Sequence, residues 1–181
     1  MLINSSLHLK RVLIKLNHIM EDVQMQKKDI MDLCVKKCKE GMLNLEGGPF
    51  GAAIVKDGEI IALANNTVIS TNDPTAHGEM NAIRQACSKL STFDLTGCEL
   101  YTTSEPCPMC MSAIIWANIS KVYYGCTVKD AADIGFRDAH ILNFLKADCT
   151  DKKVLDLEQI DKSNCMAAFK MWINNQNKTS Y

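Results

Sequence analysis

The apolar and polar positions of the chain follow two periods, one typical of helices and one typical of strands. From Ile30 to Leu45, apolar residues recur every three or four positions with Lys and Glu on the opposite face, which predicts an amphipathic helix. Asp57-Gly58, a strong two-residue turn signal, separates two apolar runs and predicts a β-hairpin over residues 52–65. The other predicted elements are a helix from His77 to about Leu90, a strand from Cys98 to Thr103, a helix beginning at about Cys107, and a strand from Lys121 to Cys126.

This order of elements implies an α/β fold, a three-layer α/β/α sandwich around a mixed sheet. After residue 126 the pattern weakens, and the acidic residues 130–138 read as a loop. A helix is predicted from Ala139 to Lys146, where Asp138 would by default be a capping residue. A helical tail is predicted from Leu157 to Trp172.

Length and charge limit the function classes. The chain has 181 residues, a net charge of −1 and an apolar fraction of 47%, enough for one domain with a sizeable core. Proteins that bind a nucleic-acid backbone usually have a strongly basic face, and no dense Lys/Arg run occurs outside the N-terminal residues. We therefore expect a small-molecule substrate and no nucleic acid. No apolar run reaches the roughly 20 residues that span a bilayer, so no membrane association is expected.

Two parts of the chain are expected to differ in role. Residues 1–24 mix apolar and basic side chains and are predicted to be a poorly ordered N-terminal extension, with Met20 or Met25 as the true start, or else a basic helix that touches a membrane or a partner. Residues 25–181 form the predicted domain. Nine cysteines, an odd number, together with the lack of a recognisable signal peptide favour reduced thiols and a cytoplasmic location.

The chemistry is concentrated in two short motifs, residues 75–79 and 105–110. Cys107 and Cys110 lie at a predicted helix start, where the partial positive charge lowers cysteine pKa values and favours the thiolates that bind zinc. His77 opens a second helix and is the third candidate ligand. Three protein ligands leave a coordination position for water, which is typical of catalytic rather than structural zinc. Glu79 is then the candidate acid/base, able to take a proton from the attacking water and deliver it to a leaving amine.

Other interpretations fit parts of this pattern. A Cys-Pro-x-Cys segment at a helix start is also typical of a thioredoxin-like redox pair, but a dithiol exchanger has no use for His77-Gly78-Glu79. A zinc-stabilised binding module without turnover is disfavoured by Glu79 beside an open zinc position. Together the motifs match the His-x-Glu and Pro-Cys-x-x-Cys arrangement of zinc-dependent base deaminases.

A pair of asparagines follows the predicted hairpin. Asn65 and Asn66 can simply start a turn, or one of them can direct its amide into the pocket and hydrogen-bond a heterocycle. The sequence does not decide between these two roles.

The chain resembles the cytidine and deoxycytidylate deaminase superfamily, and within it the bacterial guanine deaminases. The resemblance covers about residues 29–181 and depends, beyond the zinc motifs, on four further features. These are Gly47-Gly48-Pro49-Phe50-Gly51-Ala52, Asn72-Asp73-Pro74-Thr75-Ala76-His77, Gly135-Phe136-Arg137-Asp138, and a helical tail that ends in Tyr181. Gly78 stands where the family often has Ala, and we expect this change to widen the backbone freedom without altering the zinc chemistry. Residues 149–161 follow the family poorly.

The resemblance implies a five-stranded sheet, one Zn²⁺ per subunit and conversion of guanine to xanthine and ammonia. It implies that His77, Cys107 and Cys110 bind zinc and that Glu79 moves protons. Asn66 and Asp138 would hydrogen-bond the purine, and Phe50 would line the pocket. The family also suggests a homodimer in which residues 157–181 are swapped, so that Tyr181 closes the partner's site.

Two alternatives remain within the superfamily. A tRNA-specific adenosine deaminase shares the zinc motifs and acts on a flipped anticodon base. A deaminase of cytosine or of another amino-heterocycle, including triazines, is the other. The near-neutral charge and the residues from Gly135 to Asp138 fit the tRNA enzyme less well.

Overall fold

A mixed sheet of four strands organises the chain in this computed structural model, which describes residues 25–180. The strand order is β2-β1-β3-β4, with β3 and β4 parallel and the other neighbours antiparallel. The strands are β1 (Gly51–Lys56), β2 (Glu59–Asn65), β3 (Cys98–Ser104) and β4 (Lys121–Cys126). The helices are α1 (Lys27–Leu43), α2 (Val68–Thr71), α3 (Gly78–Leu90), α4 (Pro108–Trp116), α5 (Val128–Asp133), α6 (Asp138–Lys146) and α7 (Lys162–Asn174).

The predicted hairpin is present, and its turn explains its register. Asp57 and Gly58 have φ values of 51° and 81°, so both central residues adopt the left-handed conformation of a two-residue hairpin turn. Gly58 adopts it without a steric cost. A register shift between Ile54 and Val55 adds a local irregularity to the β1–β2 ladder.

Strand β1 is covered on both faces, which makes the fold a three-layer sandwich. Ala53 and Val55 pack against Ile30 and Cys34 of α1, while Ala52 and Ile54 belong to the core beneath α3 and α4. This alternation follows the two-residue period of a strand. The larger core, on the α3 and α4 side, consists of Ala52, Ile54, Ala62, Ala64, Ala82, Ile83, Ala86, Leu95, Cys98, Leu100, Ile114, Ala117 and Ile119.

The prediction of five strands is wrong for the described residues, where the sheet has four. After β4 the chain enters a helix instead of another strand, because Thr127 and Asp130 form a capping box. The Thr127 hydroxyl accepts a hydrogen bond from the Asp130 N–H, and an Asp130 carboxylate oxygen accepts one from the Thr127 N–H at 2.7 Å. The resulting helix α5 occupies part of the stretch that the sequence predicted as a loop.

Two further boundaries differ from expectation. Asp138 is not the cap of α6, because Arg137 holds that position and Asp138 is the first helical residue. The tail helix α7 begins later than predicted, after Asp161, whose carboxylate accepts a hydrogen bond from the Asn164 N–H at 3.3 Å. Within residues 25–180 no helix is both long and apolar enough to cross a membrane. The expected extension at residues 1–24 and Tyr181 lie outside the described residues.

Candidate metal centre and active site

Two helix N-termini meet at the sheet and bring the predicted ligands together. His77 is the N-cap of α3 and Cys107 is the N-cap of α4, both with extended backbone angles. Pro108 occupies the first position of α4. A backbone N–H at this position would have no partner within the helix, so the missing N–H of proline costs no hydrogen bond. Cys110 follows within the first turn and is fully buried.

The three ligand atoms have the spacing that a tetrahedral zinc ion requires. His77 Nδ1 lies 3.6 Å from Cys107 Sγ and 3.5 Å from Cys110 Sγ, and all three atoms lie within 4.8 Å of one another. Zinc–nitrogen and zinc–sulfur distances of about 2.0 and 2.3 Å at a tetrahedral angle place N and S about 3.5 Å apart. Within the described residues, no other His, Cys, Asp or Glu joins this group. The set fits a zinc site with three protein ligands.

The two cysteines have pKa values that are shifted in opposite directions. A hydrogen bond from Cys110, together with one from His77, lowers the pKa of Cys107 to about 4. The hydrogen bond to Cys107 and burial raise the pKa of Cys110. The hydrogen bond to Cys107 raises the pKa of His77. The surroundings of Cys107 therefore favour the thiolate that a metal needs, and a bound zinc ion would favour the thiolate of Cys110 as well.

Glu79 lies in the first turn of α3, below the ligands, and is 4% exposed. Its Oε1 accepts a hydrogen bond from the Thr102 hydroxyl at 3.0 Å, and its Oε2 lies 3.5 Å from Cys110 Sγ. Burial raises the pKa of this carboxyl, against the hydrogen bonds that lower it. Glu79 thus has a fixed orientation beside the ligand group in a poorly solvated position.

A small cavity joins this group to the other predicted substrate contacts. Asp138 is half-buried there, and burial followed by the negative charge of Cys107 raises the pKa of its carboxyl. Phe50 and Phe136 meet edge to face, with ring centroids 4.6 Å apart. The cavity is lined by Phe50, Asn66, His77, Glu79, Ser104, Glu105, Cys107, Phe136 and Asp138.

The two asparagines after the hairpin have separate partners. Asn65 donates its amide to the Glu46 carboxylate at 2.7 Å, which fixes the loop after α1. Asn66 is buried at the cavity, and its Oδ1 accepts a hydrogen bond from the Val68 N–H at 3.1 Å. The turn interpretation is therefore confirmed for Asn66, which also lines the cavity, while its hydrogen bond to a heterocycle stays a prediction.

The sequence analysis gave no role to Thr102, Ser104 or Phe136. Thr102 and Ser104 are two apart on β3 and so face the same side of the sheet, the side that carries Glu79. The alternation of the core residues Cys98 and Leu100, continued along β3, could have found them. Phe136 stands next to Asp138 in the motif that supports the resemblance, but its contact with Phe50 depends on the tertiary fold.

Gly78 is needed because there is no room for a Cβ at this position, and not because its backbone requires extra conformational freedom. A Cβ at this position would lie 2.9 Å from the Phe50 carbonyl oxygen and 3.3 Å from its carbon. Only glycine, which has no Cβ, allows the start of α3 to lie this close to the start of β1. This close approach holds His77 and Glu79 against the cavity wall that Phe50 forms.

We expect Gly78→Ala to lower the free energy of unfolding by about 1–3 kcal/mol, because the Phe50 backbone must shift to admit the methyl group. Denaturant titration measures this change, and zinc should still bind. Ser112→Ala, at an exposed position of the other ligand-bearing helix, is the matched control and should change stability by less than about 0.5 kcal/mol. If Gly78→Ala and the wild type have the same denaturation midpoint, the contact between Gly78 and the Phe50 backbone is not tight.

Comparison with known proteins places this geometry in a family. A family model described as the cytidine and deoxycytidylate deaminase zinc-binding region matches residues 24–126, more than half of the chain. The chain belongs to the cytidine and deoxycytidylate deaminase family. The matched part of this deaminase holds both zinc motifs, Glu79 and Asn66.

Two matches of this deaminase extend past residue 126. The guanine deaminase of Bacillus subtilis (strain 168) is 44% identical over 135 residues, 75% of this chain and 86% of that protein. The X-ray structure of guanine deaminase from Bacillus subtilis superposes with a TM-score of 0.80 and 40% identity, over 87% of this chain and 99% of that one. The tRNA-specific adenosine deaminase of Aquifex aeolicus (strain VF5) is 53% identical over 81 residues, 45% of this chain and 54% of that protein.

Proposed function

We propose that this deaminase converts guanine and water to xanthine and ammonia. The observation that carries the proposal is the extent of its likeness to the guanine deaminase of Bacillus subtilis. An alignment of 135 residues is longer than the 127 residues that precede α5, so it extends into the part of the chain that follows the zinc motifs. That part contributes Asp138 and Phe136 to the cavity.

The residues divide into a metal-binding set and a proton-moving group. His77, Cys107 and Cys110 would hold one Zn²⁺ per subunit, in agreement with their spacing and with the zinc-binding family. When bound, zinc would activate the attacking water near neutral pH. Glu79 would take a proton from that water and pass it to a ring nitrogen as the water oxygen bonds to C2 of guanine. It would then move the proton of the new C2 hydroxyl to the amino group, so that the C2–N bond breaks, ammonia leaves and the second carbonyl of xanthine forms. The hydrogen bond from Thr102 keeps the Glu79 carboxylate aimed during these transfers.

Substrate recognition would come from the polar groups on the opposite wall of the cavity. Asp138 can accept hydrogen bonds from the N–H groups of guanine, and Asn66 can meet the complementary edge atoms. A base without those N–H groups leaves the Asp138 carboxylate unpaired when it binds, and an unpaired carboxylate in a cavity is costly. Phe50 would supply an apolar face for the flat ring.

A substrate panel tests the proposal. The zinc-loaded protein is incubated with guanine, adenine, cytosine, cytidine and guanosine while released ammonia is measured. We expect ammonia from guanine, with xanthine as the second product. Faster release from cytosine or adenine would reject guanine as the substrate and leave the deaminase chemistry in place.

We expect Asp138→Ala to lower kcat/KM for guanine about 10- to 100-fold, because the change removes a charged hydrogen-bond acceptor. Zinc content, measured by atomic absorption, should stay at the wild-type level. The matched control is Asp133→Ala on the neighbouring helix α5, whose carboxylate is exposed and pairs with Lys129 at 2.6 Å. If Asp138→Ala turns over guanine as well as Asp133→Ala does, Asp138 acts only at the start of helix α6.

A tRNA-specific adenosine deaminase is the second candidate, favoured by 53% identity to the Aquifex aeolicus protein over 81 residues. The net charge of −1 disfavours the tRNA candidate, since proteins that bind a nucleic-acid backbone usually have a basic surface. The experiment that separates the two offers the protein tRNA and free guanine in parallel. Inosine in the tRNA without ammonia from guanine would establish the second candidate.

We infer a homodimer in which the C-terminal segment, residues 157–181, crosses to the partner and Tyr181 approaches the partner's active site. The support is the exposed apolar surface of α7, where Phe169, Met171 and Ile173 are each more than half exposed. Sedimentation of the full chain and of a chain shortened at residue 156 measures the change in mass.

The nine cysteines are all free, which supports a reducing compartment such as the cytoplasm.

A further inference from the structure

Ser104, at the end of β3, has a hydroxyl that nothing in the described residues satisfies. The residue is 5% exposed, and its Oγ has no hydrogen-bond partner within residues 25–180. Buried hydroxyls are nearly always paired, because an unpaired one loses its hydrogen bonds to water without replacement. A buried hydroxyl without a hydrogen-bond partner in the protein indicates that an atom of a bound ligand supplies that partner.

The position of Ser104 places this hydroxyl in the candidate active site. Leu100, Thr102 and Ser104 alternate along β3 and face α3 and α4, while Tyr101 belongs to the core under α1. Thr102 donates its hydroxyl to Glu79, and Ser104 lies one step nearer to the zinc ligand Cys107 on the same side. Ser104 also lines the cavity that Glu79 and Asp138 share.

The other polar groups of the cavity have different chemistry or different partners. Thr102 is engaged by Glu79, and Asn66 uses its Oδ1 to accept from the Val68 N–H. Glu79 and Asp138 are carboxylates, which as anions only accept hydrogen bonds. Ser104 therefore brings a neutral donor without a protein partner to a cavity that is lined by three carboxylates, those of Glu79, Glu105 and Asp138.

The cavity must enlarge before a base can use this donor. It encloses about 30 Å³, which is room for a few water molecules at most and too little for a purine. Phe136 is the lining residue at the protein surface, 37% exposed, and it meets the Phe50 ring edge to face. We expect displacement of this ring to admit a base to the cavity that Ser104 lines.

We propose that Ser104 is a substrate-contacting residue whose hydroxyl donates a hydrogen bond to an acceptor atom of the bound base. A purine such as guanine has both N–H donors and ring-nitrogen and carbonyl acceptors. Asp138 accepts hydrogen bonds from the N–H groups of the base, and Ser104 donates one to an acceptor atom on another edge. A base that binds well must therefore have both the N–H groups and the acceptor atom. This proposal rests on the proposed function, because it assigns the contact to the base that the zinc site deaminates.

The test compares Ser104→Ala with the zinc-loaded wild type in steady-state guanine deamination. We expect KM to rise about tenfold and kcat to change less than threefold, because one hydrogen bond to the bound base is lost. Zinc content and the melting temperature should stay at wild-type values. Ser104→Cys, which keeps the size and a weak donor, should have an intermediate KM. Ser88→Ala, at an exposed position of α3, is the control for removal of a serine hydroxyl.

Each outcome separates this proposal from the proposed function. An unchanged KM in Ser104→Ala, with wild-type turnover of guanine, overturns the Ser104 contact and leaves guanine deamination standing. A lowered melting temperature with an unchanged KM also overturns it, since the hydroxyl then serves packing. If the wild type acts on another base of the panel, guanine is rejected and the same comparison is made with that base. No turnover of any base overturns both proposals.

Discussion

Glu79→Gln should lose about 10²- to 10⁴-fold in kcat for guanine while binding as much zinc as the wild type. Glutamine has nearly the same shape, so it can still accept the hydrogen bond from Thr102 that Glu79 Oε1 accepts at 3.0 Å. It cannot take a proton from water, and general acid–base catalysis by a positioned group contributes about this much. Ammonia release gives kcat, and atomic absorption gives the zinc content.

The matched control for this variant is Glu99→Gln on the same sheet. Glu99 also accepts hydrogen bonds from hydroxyl groups, those of Tyr101 at 3.0 Å and Tyr123 at 3.3 Å, but it lies on the α1 side, away from the ligands. We expect turnover near the wild-type level in Glu99→Gln. Wild-type turnover in Glu79→Gln would remove the proton-transfer role from Glu79 and with it the mechanism proposed here.

Cys110→Ala should abolish zinc binding and all deaminase activity. Cys110 is fully buried, 3.5 Å from His77 Nδ1, so no solvent ligand can take its place without rearranging α4. Zinc binds the folded chain and not the unfolded one, so the variant should also melt at a lower temperature than the zinc-loaded wild type. Zinc content, ammonia release and thermal unfolding are measured on the same preparation.

Cys98→Ala separates loss of a ligand from loss of a buried sulfur. Cys98 is 2% exposed in the core between the sheet and α3, and it is not part of the ligand group. We expect it to cost about 1 kcal/mol of stability and to keep both zinc and activity. A chelator added to the wild type should reproduce the Cys110→Ala phenotype. Stoichiometric zinc in Cys110→Ala would mean that the ligand set is different.

The elements that the sequence predicted well are those with a local cause. Asp57-Gly58 fixes the hairpin because both residues adopt left-handed angles that few other pairs tolerate. Pro108 starts α4 one residue after Cys107, as its fixed φ requires. His77, Glu79, Cys107 and Cys110 could be grouped because their order and spacing along the chain are themselves the motif.

Two expectations were wrong, and they have different sources. The fifth strand was implied by the resemblance and not by the residue pattern, and residues 25–180 contain four strands. The start of helix α5 was predicted as a loop because that stretch is acidic, although Thr127 and Asp130 form a capping box there. Helix position acts on each cysteine separately, whereas the hydrogen bond between the two sulfurs shifts their pKa values in opposite directions, and the pair of thiolates expected with zinc stays a prediction. Gly78 was read as conformational freedom, but the limiting factor is the Phe50 carbonyl across the layer.

The sequence by itself predicted the candidate ligand set, the adjacent carboxylate and the alternation of helices with strands, because each of these depends on residues close together in the chain. Only the tertiary structure decided which asparagine reaches the cavity, that Thr102 orients Glu79, and that Ser104 is left without a partner. These features arise where β3, α3 and the start of α6 come together from distant parts of the chain. Hydrogen-bond partners across such a junction depend on packing, which no local pattern of residues specifies.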